Sequence, residues 1–366
     1  MRVTQLTLQN YRNIREAEFI PCPELTVICG KNGQGKTNLL ESVWLLTGGK
    51  SFRGAKDAEL IARDEPFAIL DGVTQTAEGI DNHIYLTVGS KQTPRPGRTA
   101  KRNGVDMGRA SNLAGTFTAV VFEPGNLSLV KGSPEGRRRF LDAALCQLYP
   151  GYLTTWRRYA RLITQKNALL KNFDRTPGAA DMLDVFDVDI ARQGEELTRR
   201  RMEYMERMRP RATLNYEEIS QGSEKLELIY RPSFGPEGLL EALQKSRRSD
   251  LRAGYSTTGP HREDFEVILG GQPAKLFASQ GQQRSAVLSL KLAEASCAQE
   301  ITGEHPVMLL DDVLSELDAT RQEYLLTRMR QKQTIVTACD SSLFHKTEGQ
   351  LFRMDGGVLE LSLIHI

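Results

Sequence analysis

The chain has 366 residues, 48 of them Lys or Arg and 46 Asp or Glu, for a net charge of +2 and a pI near 8.2. This length supports two domains or one domain with a large insertion, and the near-neutral balance leaves any attraction to nucleic acid to local patches. The five cysteines, Cys22, Cys29, Cys146, Cys297 and Cys339, show no C-x-x-C spacing, and no stretch of 18 apolar residues occurs. These features exclude a disulfide framework, a cysteine zinc site and a membrane span, and they point to a soluble cytoplasmic protein.

In chain order, Arg2–Leu8 alternates with period two, Asn10-Tyr11-Arg12-Asn13 turns, and Ala17–Ile20 forms the second strand of a pair. The apolar run Leu25–Cys29 then leads into Gly30-Lys31-Asn32-Gly33-Gln34-Gly35-Lys36-Thr37, which fits G-x-x-x-x-G-K-[ST] at every defined position. Asn38–Leu46 reads as the helix that follows, completing the strand, loop and helix of a P-loop. Glycines let backbone N–H groups curl around phosphate oxygens, the helix N-terminus adds its dipole, Lys36 reaches the β- and γ-phosphates, and the Thr37 hydroxyl ligates Mg²⁺. Strands are expected over Phe67–Val73, His83–Val88 and Phe117–Phe122. The broken loop from Gly89 to Gly108 carries Lys91, Arg95, Arg98, Lys101 and Arg102 against Asp106, a solvated hairpin tip or a phosphate contact.

Beyond Glu123-Pro124-Gly125 the pattern changes to helical periodicity, as in Phe140/Ala144/Leu148 and Leu183/Phe186/Ile190/Leu197. Residues 126–210 carry 16 basic and 11 acidic side chains, with arginines grouped at 137–139, at 157, 158 and 161, and at 199–201. Solvated helix surface accounts for any one group; three in one lobe favour DNA. Strands at Leu226–Tyr230 and Phe265–Leu269 flank a helix over Glu237–Arg247, and Gln282–Glu300 is a long helix.

The strand Val307–Leu310 followed by Asp311-Asp312 has the form of a Walker B, with Asp311 holding Mg²⁺ opposite Thr37 and Asp312 placed to act as general base on the attacking water. Ser279-Gln280-Gly281-Gln282-Gln283-Arg284 puts a hydroxyl, a glycine and free N–H groups at the N-terminus of the long helix, a second phosphate-grasping loop. Two such loops in one chain are economical if a head-to-tail dimer sandwiches ATP, with Ser315–Asp318 at the seam. The expected architecture is α/β: a discontinuous ATPase head, residues 1–125 plus 252–360, with a mainly helical lobe, residues 126–251, inserted as a short arm. The final Leu361–Ile366 matches the translation of a common sequencing adapter and is set aside as an artefact of assembly.

Taken together, Asn10–Asn13, the P-loop, Gly259-Pro260-His261-Arg262, Ser279–Arg284, Asp311-Asp312 and Ser315–Asp318 resemble, over residues 1 to about 355, the RecF family of bacterial recombinational repair, ABC-type ATPases related to SMC proteins. The resemblance implies a weak, DNA-stimulated ATPase that dimerises on ATP, binds duplex DNA or a junction of single and double strands, and acts with RecO and RecR to load RecA at gaps during DNA damage repair, replication restart and the SOS response. It implies Lys36 and Thr37 as Walker A residues, Asp311 as the Mg²⁺ aspartate, Asp312 as the catalytic carboxylate and Ser279 as the signature serine acting in trans with Gly281 and Gln282. Arg12 is expected along the adenine or α-phosphate. Three features depart from the wider ABC pattern: a Ser-Gln-Gly-Gln-Gln signature, Asp312 where Glu is usual, and Thr337 where transporters place a switch histidine. The shorter acid predicts slow hydrolysis, a timer rather than a motor, and Glu123-Pro124 marks only a position for the Q-loop. Rival readings are a transporter ATPase subunit, which the basic insertion disfavours, an SMC-like structural protein, which would need hundreds of residues of heptads, and a P-loop kinase, which would leave residues 279–318 without a purpose.

Overall fold

A computed structural model describes residues 1–344 and 348–362. The chain forms two compact units, one of Met1–Asn126 with the residues from Glu294 onward, the other of Leu127–Ala293. In the first unit, β1 (Arg2–Tyr11), β2 (Ile14–Phe19) and β3 (Leu25–Cys29) lead through the P-loop into α1 (Lys36–Leu45). Then follow β4 (Phe67–Gln75), β5 (Asp81–Gly89), β6 (Gly97–Arg102), β7 (Val105–Arg109) and β8 (Ala119–Phe122). The period-two alternation of β4 buries every second residue, so it pairs antiparallel with β1 and β5 in a sheet ordered β2-β1-β4-β5-β6-β7. Asn10 and Arg12 turn the β1–β2 corner with φ of 53° and 51°. The basic hairpin is only partly open to a ligand: Arg98 pairs with Asp57, Arg102 donates to Asn82 Oδ1 at 2.7 Å, and Arg95 pairs with Asp106 at 3.1 Å.

The second unit contains α2 (Ser128–Lys131), α3 (Pro134–Leu148), α4 (Tyr152–Lys171), α5 (Ala179–Ser220), β9 (Leu226–Arg231), α6 (Leu239–Ala253), β10 (Asp264–Leu269), β11 (Gln272–Pro273) and α7 (Ala274–Phe277). It also contains most of α8 (Gln280–Thr302). At 1.5 Å per residue the 42 residues of α5 span about 63 Å, and its Leu183/Phe186 face packs against Leu169 and Leu170 of α4. The antiparallel sheet β11-β10-β9 joins residues 226–231 to 264–269, so the unit closes at Ala293 and the expected boundary at 251/252 falls inside it.

The arginine groups correct an expectation. Arg137 makes a double hydrogen bond to Asp264 at 2.7 and 2.8 Å, and Arg138 donates to the Glu263 carbonyl. Arg201, with its side chain only 3% exposed, holds Asp142 and Glu263. Arg199 and Arg200 pair with Glu196 and Glu203 on their own helix. Arg137, Arg138 and Arg201 are therefore internal cross-links, with their charge neutralised where it stands, while Arg199 and Arg200 are paired along the surface of α5. Arg139, Arg158, Arg161 and Arg199 are exposed, with Arg139 3.9 Å from Glu135 and Arg158 3.6 Å from Asp189.

After α8 the first unit resumes with β12 (Val307–Asp311), α9 (Ala319–Met329), β13 (Thr334–Ala338), β14 (Gln350–Asp355) and β15 (Val358–Leu361). The second sheet is ordered β15-β14-β3-β13-β12-β8, parallel except for β15. Its central strands β12 and β13 are buried at every residue, as a parallel sheet covered on both faces requires. α1 packs Leu39, Leu40 and Val43 into one core with Leu6 and Leu8 of β1, Leu309 of β12 and Ile335 of β13. Each fully buried leucine contributes about 1.5–3 kcal/mol. Gly72 lets this helix approach β4, since a Cβ there would stand 2.8 Å from Leu46. Leu361 is part of the fold, contrary to its exclusion: it pairs with Phe352, and the Ser362 N–H donates to the Leu351 carbonyl at 2.8 Å. Residues 363–366 of the suspected artefact lie outside the described residues. Among the described residues no helix is long and apolar enough to cross a membrane.

Candidate nucleotide site

Strand β3, paired in parallel with β13 on one side and β14 on the other, delivers the P-loop at its C-terminal end. Gly33 and Gly35 take φ of 80° and 117°, and a Cβ on Gly30 would stand 2.2 Å from the Met354 carbonyl. A side chain at Gly30 or Gly35 would break the loop. The loop is also held from outside. Gln34 accepts from the Gly357 N–H through its carbonyl at 2.9 Å and from the Gly356 N–H through Oε1 at 2.6 Å, both from the β14–β15 turn. Asn13 donates to the Gln34 carbonyl at 3.0 Å and accepts from Asn38 at 2.7 Å.

Lys36 is buried, and its ammonium donates to the carbonyls of Gly30 at 2.6 Å and Lys31 at 2.9 Å, so the loop closes on its own cation. The Cys339 thiol lies 3.8 Å from the same nitrogen and donates to Asn32 Oδ1. Facing the loop, Asp311 Oδ1 accepts from the hydroxyls of Thr37 and Thr337, each at 2.8 Å. Burial raises the Asp311 carboxyl above the ordinary aspartate range, opposed by those two hydrogen bonds and by Arg53. Asp312 follows with φ of 52°, its N–H donating to Thr337 Oγ1 at 3.0 Å and its carbonyl accepting from Ser315. Its Oδ1 is buried and, among the described residues, has no hydrogen-bond partner. The Thr37 hydroxyl and the Asp311 carboxylate, oxygen donors brought to one point, fit a hard divalent cation.

Arg12 does not swing freely. Its guanidinium grips Glu41 of α1 through Nε at 2.6 Å and a terminal nitrogen at 3.0 Å, and the fully buried Glu41 also accepts from Tyr11 at 2.8 Å and Ser51 at 2.5 Å. Burial and the Glu41 carboxylate push the Tyr11 phenol well above its usual range. Glu41 fixes Arg12 beside the first turns of the P-loop helix. The sequence offered no sign of this, since an acid inside a helix normally faces water.

The structure thus brings Arg12, Gly30–Thr37, Asp311 and Asp312 together within the first unit. Ser279, Gly281 and Gln282 lie in the second unit, where α8 begins with a capping box: Gln282 N–H donates to Ser279 Oγ at 3.3 Å, and Ser279 N–H donates to Gln282 Oε1 at 2.7 Å. Glu123 follows β8, the partner of β12, and its N–H donates to Asn126 Oδ1 at 3.1 Å. Thr337 positions Asp311 and Asp312, a part its place in the sequence did not suggest.

Residues 2–356 match the RecF/RecN/SMC N terminal domain model. A DNA replication and repair protein RecF of Heliobacterium modesticaldum is 38% identical over 99% of this chain and 100% of its own length. The chain belongs to the RecF family. Another RecF, from Halalkalibacterium halodurans, is 36% identical over 98% of this chain and 99% of its own. A solved structure of the recombination mediator protein RecF with ATP, in the RecFOR pathway, superposes with a TM-score of 0.91 at 32% identity, covering 99% of this chain and 97% of that one. An Smc head domain from Pyrococcus furiosus reaches a TM-score of 0.57 at 15% identity, which places the RecF fold with the ABC-type ATPase heads.

Proposed function

We propose that this chain is an ATP-dependent DNA-binding clamp of recombinational repair and replication restart, acting in the cytoplasm with RecO and RecR to load RecA at gapped DNA. The observation that carries the reading is the 2.8 Å link between the Thr37 hydroxyl and the Asp311 carboxylate at the mouth of the P-loop, which joins the two halves of a triphosphate site. Full-length likeness to RecF proteins, one of them solved with ATP, supports the choice of nucleotide.

Lys36 exchanges the Gly30 and Lys31 carbonyls for the β- and γ-phosphate oxygens. Thr37 and Asp311 would hold Mg²⁺, which when bound would supply charge neutralisation along the phosphates. Asp312, with Oδ1 unsatisfied, accepts the proton of the attacking water, and its short side chain makes that step slow. Ser279 contacts the γ-phosphate bound by a second copy, with Gly281 and Gln282 shaping its loop, so ATP closes a homodimer and hydrolysis opens it. Arg12 lies along the nucleotide, braced by Glu41.

The test combines sizing with a non-hydrolysable ATP analogue and DNA binding across a salt series on duplex, single-stranded and junction DNA. ATP-dependent dimers that bind DNA and hydrolyse ATP faster on DNA are expected. A chain that stays monomeric with saturating analogue overturns the clamp, and DNA affinity insensitive to nucleotide overturns its gating.

A further inference from the structure

The signature loop is tied to a carboxylate outside every motif described above. Gln282 Nε2 donates to Glu224 Oε1 at 2.8 Å, and the Tyr216 hydroxyl donates to the same oxygen at 2.5 Å. Glu224 lies in the loop between α5 and β9, and its second oxygen faces Gly270 of the β10–β11 turn, where a Cβ would stand 3.5 Å away. Tyr216, buried near the end of α5, holds the carboxylate from behind. All of these residues lie in the second unit.

Hydrogen-bond polarity makes this contact directional. An amide has one donating and one accepting end, whereas an ionised carboxylate only accepts. Glu224 therefore fixes the Gln282 amide with nitrogen toward itself and oxygen toward the Ser279 N–H, the orientation that completes the capping box. Because Ser279 Oγ already accepts from the Gln282 N–H, the serine hydroxyl proton is the group left to donate outward, from an exposed residue. Without Glu224 the amide can flip, Ser279 N–H loses its acceptor, and the hydroxyl turns to satisfy local groups instead.

We infer that Glu224 is the positioning residue of the signature loop: it sets the Gln282 amide so that Ser279 presents a hydroxyl donor to a phosphate. This rests on the reading of Ser279 as a phosphate contact across an ATP-bound dimer. Glu224 touches no nucleotide itself.

The experiment uses the full chain as wild type, Glu224→Ala, Glu224→Gln, Gln282→Ala and the double variant Glu224→Ala/Gln282→Ala. Measured are affinity for a fluorescent ATP analogue, analogue-dependent self-association by sedimentation, and melting temperature. Glu224→Ala is expected to hold nucleotide affinity within about twofold while weakening self-association about tenfold. Glu224→Gln, whose amide oxygen still accepts from Gln282, should recover association to within about threefold. The double variant should associate no worse than Gln282→Ala, because both remove one device. Glu224→Ala associating like wild type, Glu224→Gln failing as badly as Ala, or additive losses in the double variant would each overturn the inference. So would a parallel fall in melting temperature and nucleotide affinity, the mark of a merely structural residue. Wild-type chain that never associates overturns the dimer reading and this inference together; wild type that associates, matched by Glu224→Ala, overturns this inference alone.

Discussion

Thr37 and Asp311 stand 274 positions apart and share a hydrogen bond of 2.8 Å between hydroxyl and carboxylate. On the proposed reading a metal and a triphosphate replace this bond together with the hold of Lys36 on Gly30 and Lys31. Lys36→Ala removes the one cation that reaches into the loop from α1. Nucleotide affinity should fall about a hundredfold in a fluorescence titration, and affinity equal to wild type would contradict the site.

Asp312→Asn keeps the shape of the side chain and tolerates the left-handed backbone at φ 52°. On the proposed mechanism it loses the proton acceptor. Nucleotide affinity should stay within about threefold while single-turnover hydrolysis slows by about 10²-fold or more. Hydrolysis at the wild-type rate would move the general base elsewhere.

Glu41→Ala strips the acceptor from Arg12, Tyr11 and Ser51 at once in a buried setting. Removing one partner of a buried ion pair costs about 3–5 kcal/mol. The measurement is a urea melt of the full chain, and the midpoint should shift strongly. A loss below about 1 kcal/mol would mean that water replaces the carboxylate.

His261 supplies the pH dependence. Burial, opposed by a hydrogen bond to the Ser256 carbonyl and aided by the charges of Arg262, Arg138 and Lys166, lowers its pKa to about 4. Its Nδ1 sits 2.6 Å from the Tyr159 hydroxyl. With the folded value below the unfolded one, the stabilisation is complete above the unfolded pKa near 6.5 and is lost as pH falls toward 4. The loss across that window is on the order of 3 kcal/mol. Melting temperature against pH should fall less steeply between 6.5 and 4 in His261→Gln than in wild type, and equal slopes would assign the acid sensitivity to other groups.

The parts visible in the sequence are those written as local patterns. The P-loop needs glycine at fixed spacings, and Walker B needs an apolar strand ending in acids, so both could be found without knowing what lies beside them. The strands β4 and β5 and the periodicity of α3 and α5 were legible for the same reason. What escaped depends on partners distant in the chain. Glu41 looks like any helix-surface acid until Tyr11, Arg12 and Ser51 converge on it. Arg137 and Arg201 belonged to groups that only together favoured DNA, because an arginine run reads identically whether its charge meets solvent, phosphate or a buried carboxylate. The boundary at Ala293 was hidden because β10 belongs with β9, a pairing set by register rather than by composition.

Gly356 and Gly357, the last turn before β15, carry the two N–H groups that close on Gln34. A ribosome makes Gln34 322 residues before it makes Gly356, so this second hold on the phosphate loop comes long after the one from Asn13. A chain that stopped short of Gly356 would carry the whole motif, with Asn13 already donating to the Gln34 carbonyl, and would lack only the two hydrogen bonds from this turn.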